Sequence, residues 1–355
     1  MPQPTEGMEA RLTIAIPTFN RAAKLREQLD RLALQLTPEV RCCVYDNASP
    51  DGTREVVAKY NSRGIAYTCA SYNGGFGRNT LRCFEECQTE WLWVLSDDDL
   101  ISASAVADLL RLIKGCQADF ILTSVPGCQH DADTTVDDIP QLLKHASAGA
   151  ILWISAGVYR NPSFRPLLRF YADGISTWGP HMVMVLVLLE KKAGKALVSS
   201  TRLFTQSAGP SRWSTLDFMA RFSHLPEYLQ APRDQALLAQ SIANDFYYLT
   251  LSVGLRELDA PAKIHRWQLF RKLAWLNLKV FGAKSPAWDV ILENKWPRAG
   301  RRRKSLLALH QALMLTVLSW CPDGLFLFVL KWLPKPGSVR DFLHQTNVKA
   351  LEPDW

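Results

Sequence analysis

Along residues 12–125, short apolar runs alternate with stretches whose apolar positions recur every three or four residues. Leu12 to Ile16 forms the first apolar run and stops at Pro17. Leu25, Leu29, Leu32 and Leu36 follow at spacings of 4, 3 and 4, one face of a helix, with Asn20 placed to cap it. Val40 to Tyr45 predicts a second strand, closed by the turn-rich run Asp46-Asn47-Ala48-Ser49-Pro50-Asp51-Gly52, and Thr53 to Tyr60 a short helix. A third strand over Ile65 to Cys69 leads through Asn73-Gly74-Gly75 into a helix over Arg78 to Cys87. Trp91 to Leu95 reads as a fourth strand and Phe120 to Thr123 as a fifth. Between them Ser102 is placed to cap a helix that turns Val106, Leu109, Leu110 and Ile113 inward.

Strands alternating with helices predict an α/β fold, a parallel sheet covered on both faces. Ligands of such sheets bind at the carboxyl ends of the strands. The polar clusters lie at those ends: Thr18 after the first strand, Asp46-Asn47 after the second, Asn73 after the third, Asp97 to Asp99 after the fourth. The first turn reads PTFNR and lacks the glycine fingerprint of a dinucleotide fold, which disfavours nicotinamide or flavin chemistry.

The triplet Asp97-Asp98-Asp99 follows a strand of Trp, Leu and Val. Three adjacent carboxylates repel one another, so a partly buried triplet calls for a cation. In an extended chain Asp97 and Asp99 point the same way and Asp98 the other. That arrangement suits a hard divalent ion held by one or two carboxylates, with positions left for phosphate oxygens. The plainer alternative is a solvated turn in which an Asp caps the next helix.

Taken together, IAIPTFNRAAKLREQL, VYDNASPDGT, YNGGFGRN and WLWVLSDDDL resemble glycosyltransferase family 2 in order and spacing. The resemblance implies the GT-A fold, a Rossmann-like mixed sheet with helices on both faces, and transfer with inversion at the sugar carbon. It implies a nucleotide-diphosphate sugar as donor and Mn2+ or Mg2+ as cofactor. Pro17 and Thr18 would meet the nucleoside through the backbone, with Asn20 beside them in the donor site. Asp46 would read the base edge and Asp97 the ribose or a metal-bound water. Asp99 would ligate the metal, with Asp97 as its second candidate ligand and Asp98 adjoining the donor. Arg78 would approach the diphosphate or sugar, flanked by Asn73 and Asn79. The ordinary readings are Asn20 and Ser49 as helix caps, Asp46-Asn47 as a turn and Gly74-Gly75 as a backbone bend.

Inverting transfer needs a base for the acceptor hydroxyl. The most site-like stretch of residues 126–230 is Tyr171 to His181, read as a Gly-containing loop that opens an apolar helix over Met182 to Leu189. Asp173 is the first candidate base, although an Asp before Gly174 is commonly a turn residue. His181 is the second, as base or substrate contact, kept neutral by its helix N-terminus. Gly209-Pro210-Ser211-Arg212-Trp213 reads as a second binding loop in which Arg212 would face phosphate and Trp213 would stack on a sugar; a surface turn with Trp213 on the core fits equally. The absence of a QxxRW pattern points to transfer of a single sugar.

From about residue 231 strand signals give way to helical, Trp-rich segments, including His265 to Phe281. The expected division is therefore 1–125 for donor and metal, 126–230 for acceptor, and 231–355 as a helical region. The chain carries +7, and Lys295 to Lys304 contributes six basic residues with no acid, so the charge is one patch. With no aromatic-basic module around it, nucleic acid is not the expected partner. The apolar halves on either side of Pro322-Asp323-Gly324 fit a hairpin in a membrane interface or a helical pair packed on the domain. The start of the chain shows no signal pattern and no apolar run reaches membrane-spanning length, so a cytoplasmic location is expected, with the inner membrane face as the surface such a hairpin would meet. Eight cysteines without metal spacing read as small residues in a reducing compartment. The chain is similar to the O-antigen and capsule branch of the family, with its abequosyltransferase-like members, which implies a saccharide or lipid-linked oligosaccharide acceptor. Rival readings are transfer to a polyprenyl phosphate and a catalytically silent scaffold of the same fold.

Overall fold

The structure, a computed structural model, describes residues 10–125, 132–206, 221–239, 241, 242 and 245. The chain divides into two compact units, one of Met1–Val125, Gln129–His145 and Ala150–Gly209, the other of Pro126–Cys128, Ala146–Gly149 and Pro210–Trp355. The first holds the sheet. In the second, Ala148 and Gly149 donate backbone N–H groups to Ser241 Oγ and Asp245 Oδ2 at 2.8 and 2.7 Å. The segments His265 to Phe281, Lys295 to Lys304 and the expected apolar hairpin lie outside the described residues, as do Arg212 and Trp213.

The strands are β1 (Leu12–Thr18), β2 (Val40–Asp46), β3 (Ile65–Cys69), β4 (Trp91–Val94), β5 (Asp99–Ile101), β6 (Phe120–Leu122), β7 (Thr134–Val136), β8 (Gly157–Arg160), β9 (Ala196–Val198) and β10 (Phe204–Gln206). The helices are α1 (Ala22–Leu32), α2 (Thr53–Ala58), α3 (Gly75–Glu85), α4 (Ala105–Ile113), α5 (Ile139–His145), α6 (Ala148–Leu152), α7 (Asn161–Phe164), α8 (Leu168–Asp173) and α9 (Pro180–Glu190). The main sheet runs β3-β2-β1-β4-β8-β6-β9-β7, and β5 pairs with β10 in a separate ribbon. The first four strands are parallel, but β8 enters antiparallel between β4 and β6, so the sheet is mixed, as the GT-A resemblance implies, and not parallel throughout as alternation alone predicts.

The order of strands locates the ligand edge. From β1 the chain moves outward through β2 to β3, then returns to place β4 on the other side of β1. The connections on either side of β1 therefore leave in opposite directions, and a crevice opens at the carboxyl ends of β1 and β4. β4 is buried along its whole length, with Trp91 and Trp93 in the core, so the residues that follow emerge from a rigid support. α3 packs on β1, β2 and β4, and α1 on α2 and β5.

Several local expectations are corrected. Asn20 does not cap α1; it is in a left-handed conformation at φ 55°. Asp51 serves instead, accepting from Ala22 N at 3.0 Å through one oxygen and from Thr53 N and Oγ1 through the other, so one carboxylate closes the starts of both α1 and α2. Ser102 is not the cap of α4, which starts after Ser104 without a side-chain cap. α3 begins at Gly75, three residues before the expected start, and Gly75 itself adopts φ 83°, which a side chain would strain. Tyr171 to Thr177 is helical rather than a loop, as the end of α8 followed by a 3-10 turn.

Candidate active site

The crevice between β1 and β4 is closed by a charged network. Thr18, the last residue of β1, donates its hydroxyl to Asp97 Oδ2 at 2.7 Å. Arg21, in the turn before α1, places one guanidinium nitrogen 2.9 Å from Asp97 Oδ1 and 2.7 Å from Asp98 Oδ2. The second oxygen of Asp98 accepts from Ser96 Oγ at 2.6 Å. The cation required by the first two acids of the triplet is thus an arginine of the same chain. Both oxygens of Asp97 are engaged, so as a metal ligand it would have to give up one of these bonds.

Asp99 differs. The chain turns at Asp97-Asp98 and β5 starts at Asp99, so the triplet is not extended as expected. Asp97 and Asp99 are nevertheless both buried while the Asp98 side chain stays a third exposed, because the turn carries the middle acid outward. Asp99 Oδ2 accepts from Trp153 Nε1 at 2.8 Å and Ser155 Oγ at 2.7 Å, both neutral donors. No cation faces it among the described residues. Burial pushes its pKa up to about 7, against the two hydrogen bonds, and pushes Asp97 up to about 6 despite Arg21 and Thr18. Gln28, fully buried on α1, braces this turn: its Nε2 donates to Asp99 O at 2.6 Å and its Oε1 accepts from Ile101 N at 3.2 Å.

A desolvated carboxylate with an unengaged Oδ1 and no counter-charge fits one protein ligand of a hard divalent ion. Among the described residues no group of three or more His, Cys, Asp or Glu side chains is placed to hold an ion alone. The donor set therefore fits an ion that takes its other ligands from phosphate and water.

Beside this network the carboxyl ends of β2 and β3 form a second layer. Asp46 Oδ1 accepts from Ser49 N and Oγ at 3.0 and 2.6 Å, and Oδ2 from Tyr67 OH at 2.6 Å. Asn47 Nδ2 donates to Asn73 Oδ1 at 2.7 Å, and the side-chain oxygens of Asn47 and Asn73 accept from Gly74 N and Gly75 N, which fixes the start of α3. Thr18 O is held by Asn47 N at 3.0 Å, and Pro17 pairs with Tyr45 in the sheet. Asn79, buried on α3, donates to Tyr45 O at 2.7 Å. Arg78 lies over the Tyr72 ring and Arg82 over Tyr45, and both arginines line a cavity of about 270 Å³ with Asn47, Ser71 and Tyr72. Asn20 is exposed and its N–H donates to Ser49 Oγ at 2.8 Å, joining the two layers.

The segment carrying Asp173 docks on the same part of the molecule. α8 and the 3-10 turn after it pack on α3. Ile175 fills the notch left by Gly77, where a Cβ would come within 2.4 Å of its side chain, and Trp178 stacks on Phe76 with ring centroids 6.4 Å apart. Trp178 holds φ 65°, a strained conformation for a bulky residue. Asp173 is exposed there. His181 is not: it is buried on α9, its Nε2 donates to Leu152 O at 2.8 Å, and its Nδ1 is a buried acceptor without a partner. Burial lowers its pKa to about 4, so it is neutral, as expected, but through desolvation in the core rather than as a group facing substrate.

These groups act on stability with opposite signs. Asp97 and Asp99 bind protons more tightly folded than unfolded, so their contribution is present below pH about 4 and lost as pH rises through about 6 and about 7. His181 is depressed from 6.5 to about 4, so its contribution is present above 6.5 and lost in acid. Near pH 7 Asp99 dominates the slope. We expect the melting temperature of the ligand-free protein to fall across neutral pH, and Asp99→Asn to flatten that fall in a pH series of thermal scans.

Thr18, Asp46, Asn73, Asp97, Asp98 and Asp99 are gathered on one edge, as their places at the strand ends predict, and Arg78 of α3 lines the adjoining cavity. Arg21, Gln28, Tyr67, Trp153 and Ser155 were not anticipated. Arg21 carried one usable signal, a cation at the end of the first strand on the edge that receives the acids. Trp153 and Ser155 come from a stretch with no readable motif.

Comparison with known proteins bears on this arrangement. The family model described as Glycosyl transferase family 2 matches residues 13–173. Abequosyltransferase RfbV of Salmonella typhimurium is 30% identical over 116 residues, 31% of this chain and 34% of that protein. An uncharacterized glycosyltransferase of Mycoplasma pneumoniae, the MG060 homolog, is 24% identical over 125 residues, 33% of this chain and 42% of that protein. The chain thus spans about a third to two-fifths of the length of these curated relatives. Among solved structures, the crystal structure of S. aureus TarS 1-349 in complex with UDP aligns with a TM-score of 0.52 at 17% identity, covering 86% of this chain and 90% of that one, a likeness of fold.

Proposed function

We propose, from a chain whose residues 13–173 match the glycosyl transferase family 2 model, that the protein moves one sugar from a nucleotide-diphosphate sugar to a saccharide or lipid-linked saccharide, with inversion. The observation that carries this reading is the network at the β1–β4 crevice: Thr18, Arg21 and Asp97 locked together beside a desolvated Asp99 that lacks a counter-charge. The nucleoside would lie over Thr18 and the Asp46–Asn73 layer, and the diphosphate between Asp99 and the arginines Arg78 and Arg82. Asp99 would hold Mn2+ or Mg2+, and such an ion supplies charge neutralisation for the departing diphosphate.

The acceptor hydroxyl then attacks the sugar carbon on the face opposite the leaving group. Its proton passes to Asp173, and the electrons of the broken bond go to the phosphate oxygen. A single displacement of this kind inverts the carbon. Asp173 supports the role of base by its exposure on a segment docked against α3, the helix that bears Arg78. Likeness to a relative named as an abequosyltransferase supports transfer of a sugar. Among the described residues no helix is long and apolar enough to cross a membrane.

Thermal unfolding with UDP, GDP, CDP and dTDP, each with and without manganese, tests the reading. A nucleotide at about a hundred times its dissociation constant adds ~2.7 kcal/mol of stability, and one of the four is expected to do so only with the ion. A flat response to all four in folded protein would favour the silent scaffold.

A further inference from the structure

We propose that Arg21 is the resident counter-cation of the acidic turn, and that its occupation of Asp97 and Asp98 makes the site take a divalent ion together with a diphosphate rather than as the free aqueous ion. The inference deepens the reading above and rests on its assignment of Asp99 as the metal-facing residue.

The argument is one of charge and available oxygens. Free divalent ions are held by proteins through several carboxylates, whose number tunes affinity. Here three carboxylates lie within one turn, but the four oxygens of Asp97 and Asp98 are engaged, two by the Arg21 guanidinium and one each by Thr18 and Ser96. The pairing cancels one of the two negative charges. It also uses up the ligand oxygens, because a guanidinium nitrogen at 2.7–2.9 Å sits where a cation would approach. Asp99 is left with one unengaged oxygen, too few for a stable aqua-ion site. A diphosphate adds further hard oxygens and negative charge, and Asp99 plus those oxygens suffices. Arg21 is also anchored in the backbone. The N–H of Ala22, the next residue, is held by Asp51, so the guanidinium projects from a fixed helix start. Its side chain is about a quarter exposed, open enough to leave one partner when a ligand competes.

Arg21 is a positioning residue in this account, and the readout that separates it from a purely structural contact is ion affinity without nucleotide. Manganese binding is measured by the loss of the free-ion paramagnetic signal and by calorimetry, for wild type, Arg21→Gln and Arg21→Lys, with manganese alone and with each nucleoside diphosphate. Wild type is expected to bind manganese alone weakly. Arg21→Gln frees both acids and should bind the bare ion about tenfold more tightly or better, since an added carboxylate ligand raises affinity by at least that order. Arg21→Lys, a point charge that serves one acid at a time, should fall between. An Arg21→Gln protein that folds only when manganese is present also supports the proposal. Bare-ion affinity unchanged by both substitutions overturns it, and if Arg21→Gln is unfolded with and without the ion, Arg21→Lys alone decides by the same criterion. The bare-ion comparison involves no nucleotide, so it stands apart from the glycosyltransferase reading, which fails if no nucleoside diphosphate binds wild type with manganese.

Discussion

Asp99→Asn is expected to lower kcat/KM for sugar transfer by roughly three orders of magnitude while raising the melting temperature of the ligand-free protein at pH 8. The two effects come from one atom set. Asn can present its carbonyl to Trp153 Nε1 and Ser155 Oγ, so both bonds that hold the side chain survive. What is lost is a buried charge that burial already opposes, as its pKa of about 7 shows. Removing a charge held there without a cation should stabilise the metal-free fold by roughly 1–3 kcal/mol above neutral pH, the usual scale for an uncompensated buried polar group. Activity moves the other way, since an amide neither attracts a divalent ion nor balances it, and transition-state charge stabilisation by a bound ion is worth several kcal/mol. Steady-state kinetics and thermal scans on one preparation check the pair. A variant less stable than wild type would mean that the Asp99 carboxylate is a structural acceptor first, and an active one would remove it from the metal site.

How far this site could be read from residues alone depended on range. β1 to β4 and α1 to α4 carry their own signals, because apolar stripes such as Leu25, Leu29 and Leu32 repeat along one helix face. β4 and β6 are equally short but stand out as wholly apolar runs of large side chains, whereas β5, β7, β8, β9 and β10 have no such run, and their pairing is decided by neighbours far along the chain. The same holds in the site. That Thr18, Asp46, Asn73 and Asp97 share an edge follows from the rule that ligands meet strands at their carboxyl ends. That Arg21 neutralises Asp97 does not, because the two are 76 residues apart and meet only when β4 lies beside β1. Repulsion among adjacent carboxylates demands a cation, and an arginine meets that demand as well as a metal does. His181 failed for a related reason. A His at a helix start looks like a presented group, yet every residue of α9 from Pro180 to Leu189 is buried, and periodicity cannot distinguish such a helix from an amphipathic one at its first turn.

That contrast sharpens the expectation for the base. Asp173→Asn should lower kcat for transfer by about 10²–10⁴, the usual worth of a positioned general base, and leave the affinity for metal and nucleotide unchanged. Asn keeps the size and polarity of an exposed side chain at the end of α8, so the fold and the Ile175–Gly77 and Trp178–Phe76 contacts that dock the segment should persist. Binding by calorimetry alongside transfer kinetics separates the terms, since loss of positioning would weaken both and loss of a proton acceptor only the second. His181→Gln supplies the opposite profile. It disturbs a buried imidazole bonded to Leu152 O, so its effect should appear in unfolding, with transfer by the folded fraction close to wild type. If instead Asp173→Asn transfers normally while folded His181→Gln does not, the proton acceptor reaches the acceptor hydroxyl from α9. The segment over α3 would then serve only to hold that helix, with its Arg78, in place.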